Sequence, residues 1–110
     1  MSLDDTSFTH IADKTLESFM DAIEAVIGDQ ADVDLEGGIL TIELDTGGQY
    51  VINKHAPNRQ IWMSSPVSGA THYDFDTDKE QWRCTRSGEF LDEKLVAELK
   101  ASTGVAVRLR

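Results

Sequence analysis

The 110 residues contain one cysteine, two prolines and ten basic side chains against twenty acidic ones, for a formal net charge of −10. A single thiol excludes an internal disulfide, and Cys84 has no CxxC partner with which to hold zinc or an iron–sulfur cluster, so the chain suits a reducing compartment. The shortage of bases argues against nucleic-acid binding, because most of the surface would repel a phosphate backbone. No apolar run is long enough to cross a bilayer, which argues against a membrane-spanning protein. There is no internal repeat, low-complexity tract or Pro/Ser-rich linker, and 40% hydrophobic residues suffice for one core, so residues 1–110 read as a single domain. The opening Met1-Ser2-Leu3-Asp4-Asp5 lacks the basic, apolar order of a secretory signal and the arginine bias of a transit peptide. GxSxG, HExxH, P-loop and dinucleotide fingerprints are missing too, which leaves hydrolase, protease and nucleotide-enzyme readings without a motif.

What is present is unevenly placed charge. Residues 1–45 carry twelve acids and one base, Lys14, whereas the remainder carries nine bases and eight acids. An acidic front half is therefore joined to a nearly neutral back half, and the front is where a cation would go.

The pattern of apolar residues gives the elements. Positions 8, 11, 12, 16, 19, 23, 26 and 27 repeat with the period of one helix face, which predicts a helix from Phe8 to Ile27 ended by Gly28-Asp29. On its other side His10, Asp13, Glu17, Asp21 and Glu24 stack into an acidic ridge facing water. The period then changes to two. Val33 and Leu35 alternate with Asp32, Asp34 and Glu36, and Leu40, Ile42 and Leu44 alternate with polar residues, giving two strands about a Gly37-Gly38 turn. Further strands are predicted at Gln49 to Lys54, Gln60 to Ser65, His72 to Asp76 and Gln81 to Arg86. Leu91, Leu95 and Leu99 mark a second helix, with Gly104 just beyond it. The expected fold is α+β: a two-layer α/β sandwich in which an antiparallel meander of about six strands lies under two helices and keeps its other face in water.

Alternation fills that open face. With Ile61, Met63, Tyr50 and Ile52 inward, Gln60, Trp62, Ser64, Gln49, Val51 and Asn53 point outward. A solvent-exposed Trp62 among amides is a plausible protein docking site, and the bland alternative is an indole tucked under a loop. Asp32-x-Asp34-x-Glu36-Gly37, with Glu43 at the twelfth position, has the spacing of a calcium loop, but the strand pattern after it is the wrong context. His10 is a candidate extra ligand or an ordinary surface residue, and Cys84 reads as a small core hydrophobe. The ridge itself could be only a solvated helix face. Against that, like charges at i,i+4 without interleaved lysines destabilise a helix, so something other than stability maintains them.

The run from Tyr50 to Pro66, YVINKHAPNRQIWMSSP, resembles the signature of frataxin and its bacterial counterpart CyaY. Ser68-Gly69, Tyr73-Asp74-Phe75, Trp82, the closing helix and the acidic front extend the resemblance over essentially the whole chain. The resemblance implies a frataxin-like sandwich that binds iron weakly, as a donor or regulator in iron–sulfur cluster assembly, and contacts a cysteine desulfurase and its scaffold protein. It puts Asp13, Glu17, Asp21, Glu24, Asp29, Asp32, Asp34 and Glu36 in the iron-binding ridge, and Asn53, Gln60 and Trp62 on the partner-binding sheet face. It also implies a monomer that iron could drive to oligomerise, in the bacterial cytoplasm or, after presequence removal, in the mitochondrial matrix. Two departures stand out: His55 where the family often has Gln, and His72 where eukaryotic members often have Arg. Surface carboxylates one helical turn apart suit a hydrated, exchangeable ferrous or ferric ion. No catalytic residue is expected, since a buried di-iron site would need inward ExxH pairs. Ferroxidase activity and a metal-independent acidic interaction module are the alternatives.

Overall fold

The computed structural model describes residues 4–109. Residues 1–3 and 110, which the single-domain reading included, lie outside the described residues. The element order is α1 (Asp5–Ile27), β1 (Ala31–Glu36), β2 (Ile39–Leu44), β3 (Gln49–His55), a 3-10 turn (Ala56–Asn58), β4 (Gln60–Ser65), β5 (Gly69–Asp76), β6 (Gln81–Cys84) and α2 (Leu91–Thr103).

Helix α1 starts three residues before the first apolar position because Asp4 caps it, its Oδ1 accepting from the Ser7 N–H at 2.7 Å. Phe8, Ala12, Leu16, Phe19, Ile23 and Ile27 form its buried stripe, spaced to stay on one face over the full length. Gly28 ends it, donating its N–H to the Glu24 carbonyl. The six strands form one antiparallel sheet in the order β1-β2-β3-β4-β5-β6. Glu36 pairs with Ile39 across a two-residue Gly37-Gly38 loop whose positive φ values, 60° and 78°, match the twist of the flanking strands.

Leu40, Ile42, Leu44, Tyr50, Ile52, Ile61, Met63, Tyr73, Trp82 and Cys84 line the inner face under the helices, α1 lying chiefly over β1 and α2 over β6. Cys84 is thus the buried core residue that alternation indicates. Helix α2 buries Leu91, Leu95 and Leu99 and ends at Gly104 in the left-handed region. The chain then runs on and returns Val107 and Leu109 to the core, a segment the sequence reading leaves unassigned although Val105, Val107 and Leu109 alternate. Three strand limits shift from the expectation, β3 running one residue further to His55. Strand β5 begins at Gly69, and β6 stops at Cys84 because Cys84 N–H turns to the Glu89 carbonyl at 2.7 Å.

One part-buried network fixes the β3 and β4 strands to α2. The Glu98 carboxylate accepts from Tyr50 Oη (2.9 Å), Ser65 Oγ (2.6 Å) and Ser68 Oγ (2.7 Å). Ser65 Oγ in turn accepts the Val67 and Ser68 N–H groups, so the loop after β4 is shaped by a single carboxylate. Burial pushes Glu98 up, but the hydroxyls of Ser65, Ser68 and Tyr50 and the Lys94 ammonium outweigh it and hold the carboxyl below its ordinary value. Burial and that same carboxylate push Tyr50 up to about 12.

Candidate functional site

The acidic front half folds into an edge. Glu17, Asp21 and Glu24 are exposed along α1, Asp29 is exposed in the turn after it, and Asp32, Asp34 and Glu36 are exposed on β1. Because Val33 and Leu35 turn toward the core, the β1 carboxylates point to the opposite side of the sheet from α1, and the two sets straddle the outer strand. Among the described residues, no three His, Cys, Asp or Glu side chains converge on a position that could hold one metal ion. The donor set is therefore dispersed hard oxygen, which fits an ion that keeps most of its water and does not fit a desolvated cage. Asp32, Asp34, Glu36 and Glu43 lie on paired strands, which gives the calcium-loop spacing the wrong backbone.

Asp13 departs from the ridge as read. It is half-buried, and its Oδ1 accepts from Lys54 Nζ of β3 at 2.8 Å. The pair lies at a cavity of about 490 Å³ lined by Asp13, Leu16, Glu17, Leu35, Gly37, Gly38 and Lys54. A Cβ on Gly38 would stand 3.0 Å from Lys54 Cε, so the second glycine of the turn also makes room for this lysine. Lys54 thus places a fixed ammonium against the ridge, where a bound cation would otherwise contact Asp13. His10 departs as well. It faces a groove on the other flank of α1, shared with Lys14, Phe75, Glu80 and Trp82, away from Asp13.

The open sheet face carries the second group of residues. Strand register sets Asn53 opposite Trp62 and Trp62 opposite His72, with His55 opposite Gln60. Trp62 is on the outer face as alternation requires, but it is half-buried and neither free in solvent nor under a loop. The His55 ring stacks on one side of the indole at 3.6 Å between centroids and 9° between planes, and the His72 ring stacks on the other at 4.1 Å and 11°. The indole edge is fixed too: Trp62 Nε1 donates to Gln60 Oε1 at 2.8 Å, and Gln60 Nε2 donates to Asp74 Oδ1 at 2.9 Å. Further along, Arg83 binds Asp76 at 2.9 Å and lies over the Phe90 ring at 4.5 Å. The Arg83 guanidinium and the N–H groups of Lys79 and Asp78 hold Asp76 below the ordinary carboxylate range.

Asn53, Gln60 and Trp62 therefore sit together on the outer face. His55 and His72 are the rings that clamp the tryptophan. Sequence reasoning placed them near the face without pairing them, although the short β4–β5 hairpin could have put His72 beside Trp62. Lys54 was missed because its partner is 41 residues away.

The arrangement of a helix, a six-stranded antiparallel sheet and a closing helix, with a carboxylate edge and an aromatic outer face, defines an α/β sandwich of the frataxin type. The frataxin-like domain model matches residues 1–105, and the chain belongs to that family. It is 36% identical to the iron-sulfur cluster assembly protein CyaY of Thioalkalivibrio sulfidiphilus, covering 96% of this chain and 98% of that protein. It is 38% identical to mitochondrial frataxin of Arabidopsis thaliana, covering 97% of this chain but 59% of that protein. A mitochondrial frataxin-like protein of Leishmania donovani is 39% identical, and this chain again spans 59% of it. Among solved structures, frataxin from Psychromonas ingrahamii superposes with a TM-score of 0.86 at 26% identity, covering 98% of this chain and 99% of that one. Trimeric frataxin from Saccharomyces cerevisiae, complexed with ferrous, superposes with a TM-score of 0.76 at 33% identity, covering 86% and 87%.

Proposed function

We propose that this protein acts in iron–sulfur cluster assembly as a weak iron-binding donor or regulator. Iron, as cargo, meets the exposed carboxylates Glu17, Asp21, Glu24, Asp29, Asp32, Asp34 and Glu36, with Asp13 joining when Lys54 is displaced. The cysteine desulfurase and the scaffold protein dock on the acidic edge and on the face formed by Asn53, Gln60 and Trp62. The observation that carries this reading is the joining, on one small sheet, of a carboxylate edge and an outer face centred on a held indole. Hard oxygen donors that do not converge bind iron exchangeably, as delivery requires, and a rigid aromatic is the residue type that anchors protein interfaces. Relatives named for iron–sulfur cluster assembly and a ferrous complex of a yeast neighbour support it. The relatives include bacterial and mitochondrial proteins, and either compartment accommodates the proposal.

The test is an anaerobic amide NMR titration with ferrous iron, joined to a reconstituted assembly assay. Broadening confined to the edge residues is the expected map, and no change at millimolar iron would sink the iron reading. Trp62→Ala or Asn53→Ala should alter the assembly rate, while unchanged rates would remove the docking claim. Oxygen uptake above buffer autoxidation on adding ferrous iron would instead make the protein a ferroxidase. Full activity in iron-free assays with a neutralised edge would make it a metal-independent module.

A further inference from the structure

The His55–Trp62–His72 stack carries an inference that rests on the docking role proposed for the sheet face and concerns its control. A lone exposed indole on a strand samples several rotamers, and each costs order on binding. Here both faces and the Nε1–H are already engaged, by His55, His72 and Gln60, so the indole is presented in one pose. Two of those three contacts are imidazoles, the side chains that change charge between pH 5 and 8.

His55 is placed so that its protonation matters. Its Nδ1 is buried and has no hydrogen-bond partner. A neutral ring can leave that nitrogen as a bare acceptor at modest cost. An imidazolium carries N–H on both nitrogens, and an N–H sealed there without an acceptor is a far poorer arrangement. Cation–π attraction to the indole favours keeping a protonated ring in the stack, but the sealed N–H lacks an acceptor and outweighs it, so the ring gains a partner by turning out. His72 is exposed and can hold a proton in place, which would add a cation on the other side of the same indole and repel a charged His55. The charged groups on this face are Asp32, Asp34 and Glu36 of β1, Glu43 of β2, Asp74 and Asp76 of β5 and Arg83 of β6, with Arg59 following the 3-10 turn. Arg83 is paired with Asp76 and Arg59 with Asp5, and Asp74 is held by the Gln60 amide, so no carboxylate hydrogen-bonds either imidazole among the described residues. Lys54, although adjacent to His55 in sequence, points to the other side of the sheet and binds Asp13.

We propose that His55 and His72 are positioning residues that make docking through Trp62 proton-dependent: neutral imidazoles clamp the indole in its binding pose, and proton uptake releases it. The partner suited to the neutral state is a protein surface that seats the indole edge in an apolar pocket with a basic rim, complementary to the β1, β2 and β5 carboxylates on this face.

The test uses the full chain and follows the two tryptophan indole N–H signals by NMR from about pH 8 to about pH 5.5. Trp82, bonded to Thr15 on the opposite side of the sheet, is the internal control. The Trp62 signal should move through a single transition while Trp82 stays fixed. Over the same range the dissociation constant for a purified iron–sulfur scaffold protein should rise about tenfold, the factor carried by one unpaired buried donor. The His55→Gln/His72→Gln double variant should lose both responses yet still bind at about pH 8, since amides can lie on an indole but do not titrate. A flat Trp62 signal, or the same loss of affinity in the double variant, overturns the proposal. Trp62→Ala separates the two readings: full affinity in that variant at about pH 8 defeats docking itself, whereas lost affinity beside a pH-independent wild type defeats only the proton control.

Discussion

Lys54→Met tests whether the acidic edge is a cation surface, because the wild-type protein already holds a cation there. The Lys54 ammonium lies 2.8 Å from Asp13 Oδ1, with Glu17 lining the same cavity. A ferrous ion at Glu17, beside the Asp13 carboxylate that Lys54 occupies, would sit about 5 Å from that ammonium, and in water the repulsion between charges of two and one at this separation is about 1.7 kcal/mol. Screening at physiological ionic strength cuts this to about 1 kcal/mol, or roughly a fivefold change in affinity. Methionine keeps the length and the apolar stem, so the cavity wall is preserved and only the charge is removed. The lost ion pair is half-exposed and costs at most about 1 kcal/mol of stability. Anaerobic ferrous titration should therefore show about fivefold tighter binding, with Asp13 and Glu17 amides perturbed earliest. Lys54→Arg, which keeps the charge, should not tighten it. Unchanged or weaker binding in Lys54→Met would refute the argument, because an edge that does not respond to removal of its own cation is not sensing cations.

The remaining predictions concern stability and its relation to the edge. Glu98→Ala removes the acceptor for three hydroxyls and leaves that of buried Tyr50 unpaired, so urea denaturation should show a loss of about 3 kcal/mol; a loss under about 1 kcal/mol would mean that water replaces the network. Since the folded Glu98 carboxyl lies below its unfolded value, its stabilisation is present above the ordinary glutamate range and is lost as pH falls through the lower folded value. Stability measured from neutral to acid pH should thus fall more steeply in the wild type than in Glu98→Gln, and parallel curves would contradict the assignment. Glu17→Gln/Asp21→Asn/Glu24→Gln should raise stability by about 0.5–1 kcal/mol by relieving i,i+3 and i,i+4 repulsion, while weakening iron binding. A less stable variant would show that the acids are structural.

How much of this was legible in the sequence follows from the range over which each signal acts. The apolar stripe of α1 is local and periodic, so Phe8 to Ile27 could be read directly, and only the polar first turn capped by Asp4 escaped. The Gly37-Gly38 turn and the alternation of β1 to β4 are equally local, and they assigned Trp62 to the correct face. Alternation gives the face of a residue but not its lateral neighbours. Those depend on the register of each hairpin, which is why His55 and His72 were noted as departures and not recognised as a clamp. The Asp13–Lys54 and Glu98–Tyr50 contacts join residues 41 and 48 apart, and depend on how each helix is rotated over the sheet. A ridge drawn from helical spacing alone therefore included Asp13 as a free carboxylate and placed His10 in line with it, when packing turns the two toward different flanks.

Strand β3 shows why the α1 side of the edge and the docking face are linked although they lie on opposite sides of the sheet. Asn53, Lys54 and His55 are consecutive. Asn53 lies opposite Trp62, Lys54 passes over Gly38 to Asp13 on α1, and His55 returns to stack on the indole. A register shift of one residue in β3 would turn Lys54 onto the docking face and both neighbours into the helix layer, removing the clamp and the internal cation together. Tyr50 opposes this from the same strand. Its buried hydroxyl reaches Glu98 only in the observed register, and that contact is anchored by Ser65 and Ser68 at the end of β4. The Glu98 network thus holds in place the strand on which both functional surfaces depend, although it belongs to neither. Weakening it should disturb the Trp62 indole signal and the ferrous response at Asp13 in the same variant, whereas damage to one surface alone would leave the other intact.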